Sequence, residues 1–151
     1  MKRLQVNQDY EDLFKILNAY KIKYIVVGAY AVIYHTQPRF TKDLDVWIIP
    51  EKNDLDQIYK ALKEFGVPLR GLKPENFSDK SMILQIGVAP IRIDIMLDVH
   101  GVSFEEAWQN KKKVKYGKTS VYVLGKDDLI AVKKKAGRPQ DILDIDNLKK
   151  S

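Results

Sequence analysis

The chain has 151 residues, of which 45% are hydrophobic, and its 26 basic and 20 acidic residues give a formal net charge of +6. This length fits one domain with a sizeable core, and the absence of cysteine excludes disulfides and thiolate metal sites. No run approaches the roughly 18 apolar residues of a membrane span, and the N-terminal residues turn charged too soon for a secretory signal. We therefore expect a cytoplasmic protein with no membrane contact, and the basic balance favours polyanionic partners such as nucleotides or nucleic acid.

Hydrophobic spacing predicts alternating helices and short strands in the first half of the chain. Tyr10, Leu13 and Leu17 recur at helical spacing. A short β-branched run precedes Gly28, which separates a strand from a helix. The predicted order is helix 9–20, strand 21–27, helix 29–35, strand 43–50 and helix 52–66.

The second half reads as strands followed by helices. Two strands are predicted to pair through a turn near Ala89 and Pro90. The predicted elements are strands 82–90 and 91–99, a short helix 103–108, a hairpin 112–125, and helices 127–136 and 140–150. The whole order predicts a mixed α/β or α+β class, with helices on one small mixed sheet. We expect a single domain over 1–151, in which 126–151 form a C-terminal helical segment.

Two carboxylates open the predicted strand 43–50. Asp43 and Asp45 are one residue apart, so they share one face of that strand, and Asp94 takes a similar position on strand 91–99. If the strands are neighbours, the three carboxylates meet, and each close pair costs about 4 kcal/mol at about 4 Å and an effective dielectric of about 20. A proton or a cation relieves that cost, and hard oxygen ligands favour Mg²⁺ or Mn²⁺. The alternative is an exposed acidic pair at a sheet edge, balanced by nearby lysines.

A glycine turn lies upstream of these carboxylates. Gly28 follows a predicted strand and precedes a predicted helix, so backbone N–H groups at the helix N-terminus are available to an anion. The alternative is a glycine that serves only the backbone conformation.

The stretch VVGAYAVIYHTQPRFTKDLDVWI (26–48) resembles the core motif of the polymerase-beta-like nucleotidyltransferase superfamily. That motif has an apolar strand, Gly-Gly or Gly-Ser, a helix, and then Arg-x-Thr-x-Asp-Leu-Asp, and Asp94 matches the third acid on a later strand. The tail DDLIAVKKKAGRPQDILDIDNL (127–148) resembles the small bacterial branch that includes abortive-infection-type toxin nucleotidyltransferases, with Lys133 and Asp141 at matching positions. Ala29 departs from the motif, because the family usually has Gly or Ser there.

The resemblance implies a nucleotidyltransferase fold and a metal-dependent transfer of a nucleoside monophosphate from an NTP to an acceptor hydroxyl. In the toxin-like branch this suggests an RNA or tRNA end as acceptor and an antitoxin protein as partner. It implies that three residues are catalytic and bind Mg²⁺ or Mn²⁺, namely Asp43, Asp45 and Asp94. It implies that six residues bind the nucleotide, namely Gly28, Ala29, Arg39, Thr41, Lys133 and Asp141.

Two other functions stay open from the sequence. One is a catalytically silent nucleotide- or RNA-binding domain of the same fold, which Ala29 favours because its side chain offers no hydroxyl to a phosphate. The other is an antibiotic-type enzyme with a small hydroxylated acceptor.

Three further features have a structural and a functional interpretation. A group of lysines could grip RNA phosphates beside Tyr116, or form a solvated hairpin rim. Trp47 could stack a base, although core packing is favoured, and His35 is expected to pack at a helix end. The lysines are Lys111, Lys112, Lys113, Lys115 and Lys118.

Overall fold

The computed structural model describes residues 6–36, 43–88 and 91–151. In these ranges the α-helices are Gln8–Ala19 (α1), Gly28–His35 (α2), Leu55–Phe65 (α3), Phe104–Asn110 (α4), Lys126–Ala136 (α5) and Pro139–Lys150 (α6). The strands are Tyr24–Val27 (β1), Asp43–Ile48 (β2), Ile83–Val88 (β3), Ile91–Met96 (β4), Lys112–Tyr116 (β5) and Thr119–Val123 (β6). The predicted order of elements is confirmed, with bounds that move by a few residues. The predicted loop 67–80 also contains a 3-10 helix, Pro74–Ser78.

The strands form one mixed sheet in the order β3-β4-β2-β1-β6-β5. β1 pairs antiparallel with β2 and parallel with β6, β2 pairs parallel with β4, and the two edge strands pair antiparallel with their neighbours. β1 is central, and all four of its residues are buried. The predicted class, a small mixed sheet flanked by helices, is therefore confirmed.

Local sequence signals set the helix ends. The Asn7 side chain accepts from the backbone N–H groups of Asp9 and Tyr10, which caps α1. Gly66 ends α3 in a left-handed conformation with φ +103°. Pro139 occupies the first turn of α6, where its missing N–H costs nothing.

Helices cover both faces of the sheet with aromatic contacts. On one face, Phe14 of α1 stacks on Tyr24 of β1 at 6.0 Å between ring centroids. On the other face, Phe104 of α4 packs edge-on against Trp47 of β2 at 5.2 Å. Each of these four side chains is almost fully buried, so the sheet is the centre of the core.

The C-terminal helices are part of the same packed unit. α5 and α6 pack against each other and against α2, and Leu129 and Leu148 are fully buried. Across the described ranges, none of the helices is both long and apolar enough to span a membrane.

Candidate active site

Acidic side chains lie side by side on neighbouring strands. β2 and β4 are parallel, Asp45 lies opposite Asp94, and Asp43 lies opposite Arg92. Opposed positions on adjacent strands share a face and lie about 5 Å apart. The strand pairing that brings Asp94 to the Asp43–Asp45 pair is therefore present.

Arg92 holds the Asp94 carboxylate through two hydrogen bonds. Its guanidinium donates from Nε to Oδ1 at 3.1 Å and from Nη2 to Oδ2 at 3.0 Å. Such bidentate, charge-assisted pairs are among the stronger polar contacts in proteins, and this Asp94 is only 8% exposed. The Tyr10 hydroxyl donates to the Arg92 carbonyl at 3.3 Å, which ties α1 to this strand. The positive charge beside Asp94 is thus supplied by the chain itself.

Asp45 has the most perturbed carboxylate of the group. Burial, and then repulsion from Asp94 and Asp43, raise the pKa of Asp45 to about 6, while Arg92 and Lys133 act in the opposite direction. Within the described residues, its oxygens form neither a hydrogen bond nor a salt bridge. A carboxylate kept in this state gains from a proton or from an external cation.

Gly28 places the start of α2 directly against Asp45. Its φ is +67°, a conformation that side chains with a Cβ rarely adopt. A Cβ added there would lie 2.2 Å from Asp45 Oδ2, so a side chain would also clash with the carboxylate. Among the described residues no side chain caps this helix, since the preceding Val27 offers no acceptor. The first-turn N–H groups, including that of the half-buried Ala29, are therefore free of a side-chain acceptor and suited to a phosphate.

A buried ion cluster joins α5 to α6 near this junction. Lys133 is 8% exposed, and its Nζ lies 3.2 Å from both Asp141 Oδ1 and Asp144 Oδ2. Arg138 donates from Nε to Asp141 Oδ2 at 2.8 Å. Hydrogen bonding from Arg138 and Lys133 outweighs the effect of burial, and the pKa of Asp141 falls to about 2.

The cluster changes how Asp141 is interpreted. Asp141 has no exposed surface, so its carboxylate positions Lys133 and Arg138 and does not face a ligand directly. Both cations interact electrostatically with Asp45, which places them on the side of the acidic site. The sequence contains Arg138 in an Arg-x-x-Asp pattern that opens the last helix, but it was given no role there. Asp144 was missed, although it lies one helical turn after Asp141 and so shares its face.

The remaining predicted residues have mixed outcomes. Arg39 and Thr41 lie outside the described residues, so their role stays a prediction. Trp47 is 1% exposed, so the favoured interpretation, core packing, is confirmed. Among the described residues, its indole N–H is the one fully buried side-chain polar group that lacks a hydrogen-bond partner. His35 is bonded through Nε2 to the Leu124 carbonyl at 2.8 Å.

The Tyr116 hypothesis was wrong. Tyr116 is 1% exposed, its ring packs edge-on against Phe14, and its hydroxyl accepts from the Asn7 N–H at 2.9 Å. It therefore cannot serve as a platform for a base.

The acidic group has the ligand chemistry of a divalent-cation site but not its geometry. Carboxylate oxygens are the ligands that Mg²⁺ and Mn²⁺ prefer, and a cation would remove the repulsion that perturbs Asp45. Over the ranges that the structure covers, no three acidic or histidine side chains converge as a ready-made metal site, and the Asp94 oxygens are held by Arg92. Asp43, Asp45 and Asp94 would thus hold a cation once Arg92 releases Asp94.

Acids on neighbouring strands, beside a glycine turn that opens a helix, match the arrangement that the resemblance to nucleotidyltransferases predicts. The chain belongs to a family of this class, described as "Nucleotidyltransferase of unknown function (DUF6036)", whose model matches residues 2–149. The predicted superfamily is therefore confirmed. No curated protein sequence matches the chain.

Three solved structures with a similar fold are described as an adenylyltransferase, a putative nucleotidyltransferase and a nucleotidyltransferase-like protein. The chain is similar to the lincosamide antibiotic adenylyltransferase LnuA in its lincomycin-bound form, with 14% identity, a TM-score of 0.60 and 98% of each chain covered. It is similar to a putative nucleotidyltransferase from Thermotoga maritima, with 18% identity, a TM-score of 0.61, and 97% of this chain and 94% of that chain covered. A nucleotidyltransferase-like antigenic protein from Paracoccidioides brasiliensis gives 13% identity and a TM-score of 0.52 over 93% of this chain and 74% of that chain. At these identities the likeness shows the fold alone.

Proposed function

We propose that this chain transfers a nucleoside monophosphate from an NTP to an acceptor hydroxyl, with an RNA or tRNA end as the acceptor. The observation that carries the proposal is Asp45, a largely buried carboxylate set against Gly28 and opposite Asp94. Its pKa, raised to about 6 by burial and by the neighbouring acids, supports a role in binding an external positive charge. Membership of a nucleotidyltransferase family supports the class of reaction.

The residues have separate tasks in this reaction. The backbone N–H groups of Gly28 and Ala29 bind the phosphates at the N-terminus of α2. Lys133, held in place by Asp141 and Asp144, offsets negative charge on the triphosphate. Arg39 and Thr41 are expected to complete the nucleotide site. Bound at Asp43, Asp45 and Asp94, Mg²⁺ or Mn²⁺ would neutralise the charge that develops on the phosphoryl oxygens.

The chemical step is an in-line displacement. The acceptor oxygen forms a bond to the α-phosphorus, and the bond from that phosphorus to the oxygen shared with the β-phosphate breaks. Pyrophosphate leaves with the electron pair, and the hydroxyl proton passes to the Asp94 carboxylate. Arg92 must first release Asp94, and its guanidinium is then available to a phosphate. Catalysis is mostly positioning and charge neutralisation.

The test uses each α-³²P-labelled NTP with Mg²⁺ or Mn²⁺ and total tRNA. We expect label on RNA with the wild type, and none with the double variant Asp43→Asn/Asp45→Asn. The matched control is Asp98→Asn, which removes one carboxylate just beyond the far end of β4 and should leave transfer unchanged. Equal labelling by the double variant would refute the assignment of the acids.

A second enzyme candidate has a small hydroxylated acceptor. It is favoured by the structural likeness to LnuA, a lincosamide adenylyltransferase of nearly the same length as this chain. Label that moves to a lincosamide but never to RNA would select this candidate.

A silent nucleotide-binding domain would behave differently from both enzymes. Calorimetry with Mg-NTP would give binding heat, yet no labelled product would form with any acceptor. An antitoxin protein partner and a cytoplasmic location stay predictions, and the partner would be sought by co-purification at the native expression level.

A further inference from the structure

Lysines line an open groove at the β5–β6 edge of the sheet, away from the acidic site. The groove has a volume of about 630 Å³, and Trp108 of α4 and Tyr122 of β6 form part of its wall. We call it the lysine groove, and its basic residues are Lys21, Lys23, Lys113, Lys115 and Lys118. All five are exposed.

The groove brings together parts of the chain that are far apart in sequence. Lys113 and Lys115 alternate with Val114 on β5 and therefore point to the same face. Lys118 comes from the turn after that strand, while Lys21 and Lys23 come from the connection between α1 and β1. The fold, and not a lysine-rich stretch alone, creates this concentration of charge.

These lysines are not balanced by acids, unlike other lysines on the surface. Lys80 pairs with Glu51 at 2.7 Å and Lys150 with Asp146 at 2.8 Å. In the described part of the chain, by contrast, no lysine of the groove forms a salt bridge. The nearby Glu11 is 6% exposed, and it accepts the backbone N–H of Lys118. The repulsion among five ammonium groups is thus left for an external anion to relieve.

Like charges are crowded at the margin of the groove. Lys111 lies 3.9 Å from the Trp108 ring centroid. Burial, and then the charge of Lys23, lower the pKa of Lys111. The positive φ of Lys21, +56°, has a structural cause, because this residue ends α1 and the Ile22 N–H bonds to the Leu17 carbonyl.

One wall of the groove lies on the face of the sheet that carries the acidic site, while Asn18 of α1 lines it from the other face. Trp47 alternates with Asp45 on β2 and packs against Phe104 of α4. Trp108, one turn later on that helix, packs against Tyr122 at 5.3 Å. Tyr122 is the cross-strand partner of Lys113, so one wall of the groove lies on the carboxylate face. Three strand spacings separate β5 from β2, which is roughly 14 Å across the sheet. Asp45 lies opposite Val27 at one end of β1, whereas Lys23 precedes the other end of that strand, roughly 13 Å away along it.

We propose that the lysine groove binds the phosphodiester backbone of single-stranded RNA. The five charges are spread along a strand, a turn and a connection, so they suit an extended polyanion better than a compact phosphate ion. The Trp108 ring is stacked on Phe104 and covered by the Lys111 ammonium group, so the proposal rests on the phosphate backbone and not on base stacking. The distance to Asp45 corresponds to a few nucleotides, so an RNA seated here would extend toward the acidic site. The link to an RNA acceptor rests on the proposed function, whereas binding itself is tested without it.

The binding test measures the anisotropy of a fluorescein-labelled 12-nucleotide RNA against salt concentration. Five phosphate contacts predict a slope of log K against log[salt] of about −3.5. The variant Lys113→Gln/Lys115→Gln should reduce that slope to about −2 and weaken binding at 0.1 M salt by about 10-fold or more. The control Lys60→Gln/Lys63→Gln removes the same charge from exposed positions on α3 and should leave both values unchanged. Equal effects of the two variants would overturn the proposal.

A competition experiment separates RNA from a small polyphosphate. Inorganic tripolyphosphate at the same total phosphate concentration should displace little of the RNA. Complete displacement would mean that the groove takes a compact anion, and the proposal would be wrong.

The labelled-transfer assay then distinguishes this proposal from the proposed function. The groove variant should raise the KM for RNA by about 10-fold without changing kcat or the KM for NTP. Groove-dependent RNA binding without any transfer would support the groove and refute the proposed function. If the groove variant transfers label to RNA as well as the wild type does, the proposed function would be supported and the groove proposal refuted.

Discussion

Replacing Asp45 by asparagine should make the protein more stable while it abolishes activity. Burial and the neighbouring Asp94 and Asp43 raise the pKa of Asp45 from 3.8 to about 6. At about 1.4 kcal/mol per pKa unit, the ionised side chain therefore costs the folded state roughly 3 kcal/mol at pH 7.5. Asparagine carries no charge, so this cost disappears in the variant.

The gain has a defined dependence on pH. A carboxylate with a raised pKa in the folded state opposes folding only when it is ionised. The wild type is therefore not penalised below about pH 4, and it loses stability as the pH rises through about 6. The predicted gain of Asp45→Asn is roughly 3 kcal/mol at pH 7.5 but only about 1 kcal/mol at pH 4.5.

Urea unfolding of the wild type and the variant at the two pH values measures this difference. Thermal unfolding at pH 7.5 should show a rise in Tm of roughly 6–12 °C. The control Asp146→Asn removes a surface carboxylate that pairs with Lys150 and should change stability by less than about 1 kcal/mol at either pH. A gain that is the same at both pH values would refute the electrostatic reasoning, because it would come from packing.

Two further substitutions test the surroundings of Asp45. Gly28→Ala should destabilise the fold by more than Gly66→Ala. Both glycines have a positive φ, but only at Gly28 would a Cβ meet a carboxylate, at 2.2 Å from Asp45 Oδ2. Equal losses of unfolding free energy in urea would contradict the clash. Asp141→Asn should cost about 3–5 kcal/mol, since it removes one of two carboxylates from the buried Lys133. Because the folded protein lowers the pKa of Asp141 to about 2, the wild type should also lose stability as the pH falls from about 4 through about 2. If Asp141→Asn lacks this loss, Asp141 is its source.

Local periodicity carried the prediction of the acidic site. Asp43 and Asp45 are two residues apart, so a strand places them on one face whatever its neighbours are. The sequence separation between β2 and β4 is long. Asp94 also alternates with apolar residues, but that pattern brings it to the pair only if the strands are neighbours, and the resemblance to nucleotidyltransferases supplied this condition. The same alternation placed Arg92 on the face of Asp94, but it gave no sign that the arginine holds the carboxylate.

Features that depend on distant contacts escaped the sequence. β1 pairs with β6 through Val26 and Val123, and no local pattern indicates that partner. The contact of Lys133 with Asp144 required two helices to pack, so Asp144 was missed. The alternation of Lys113, Lys115 and Tyr116 along β5 did contain a signal, because a strand that exposes the two lysines must turn its tyrosine inward.

The two tryptophans have opposite environments, and this gives the protein an internal optical reporter. Trp47 is buried without a hydrogen-bond partner among the described residues, so its fluorescence belongs at the short-wavelength side of the emission band. Trp108 is only partly buried and lies at the wall of the lysine groove, so its emission belongs at longer wavelength. A ligand in the groove should alter the red side of the spectrum alone, whereas loosening of the core would shift the blue side, and the native chain would report the two events separately without a label.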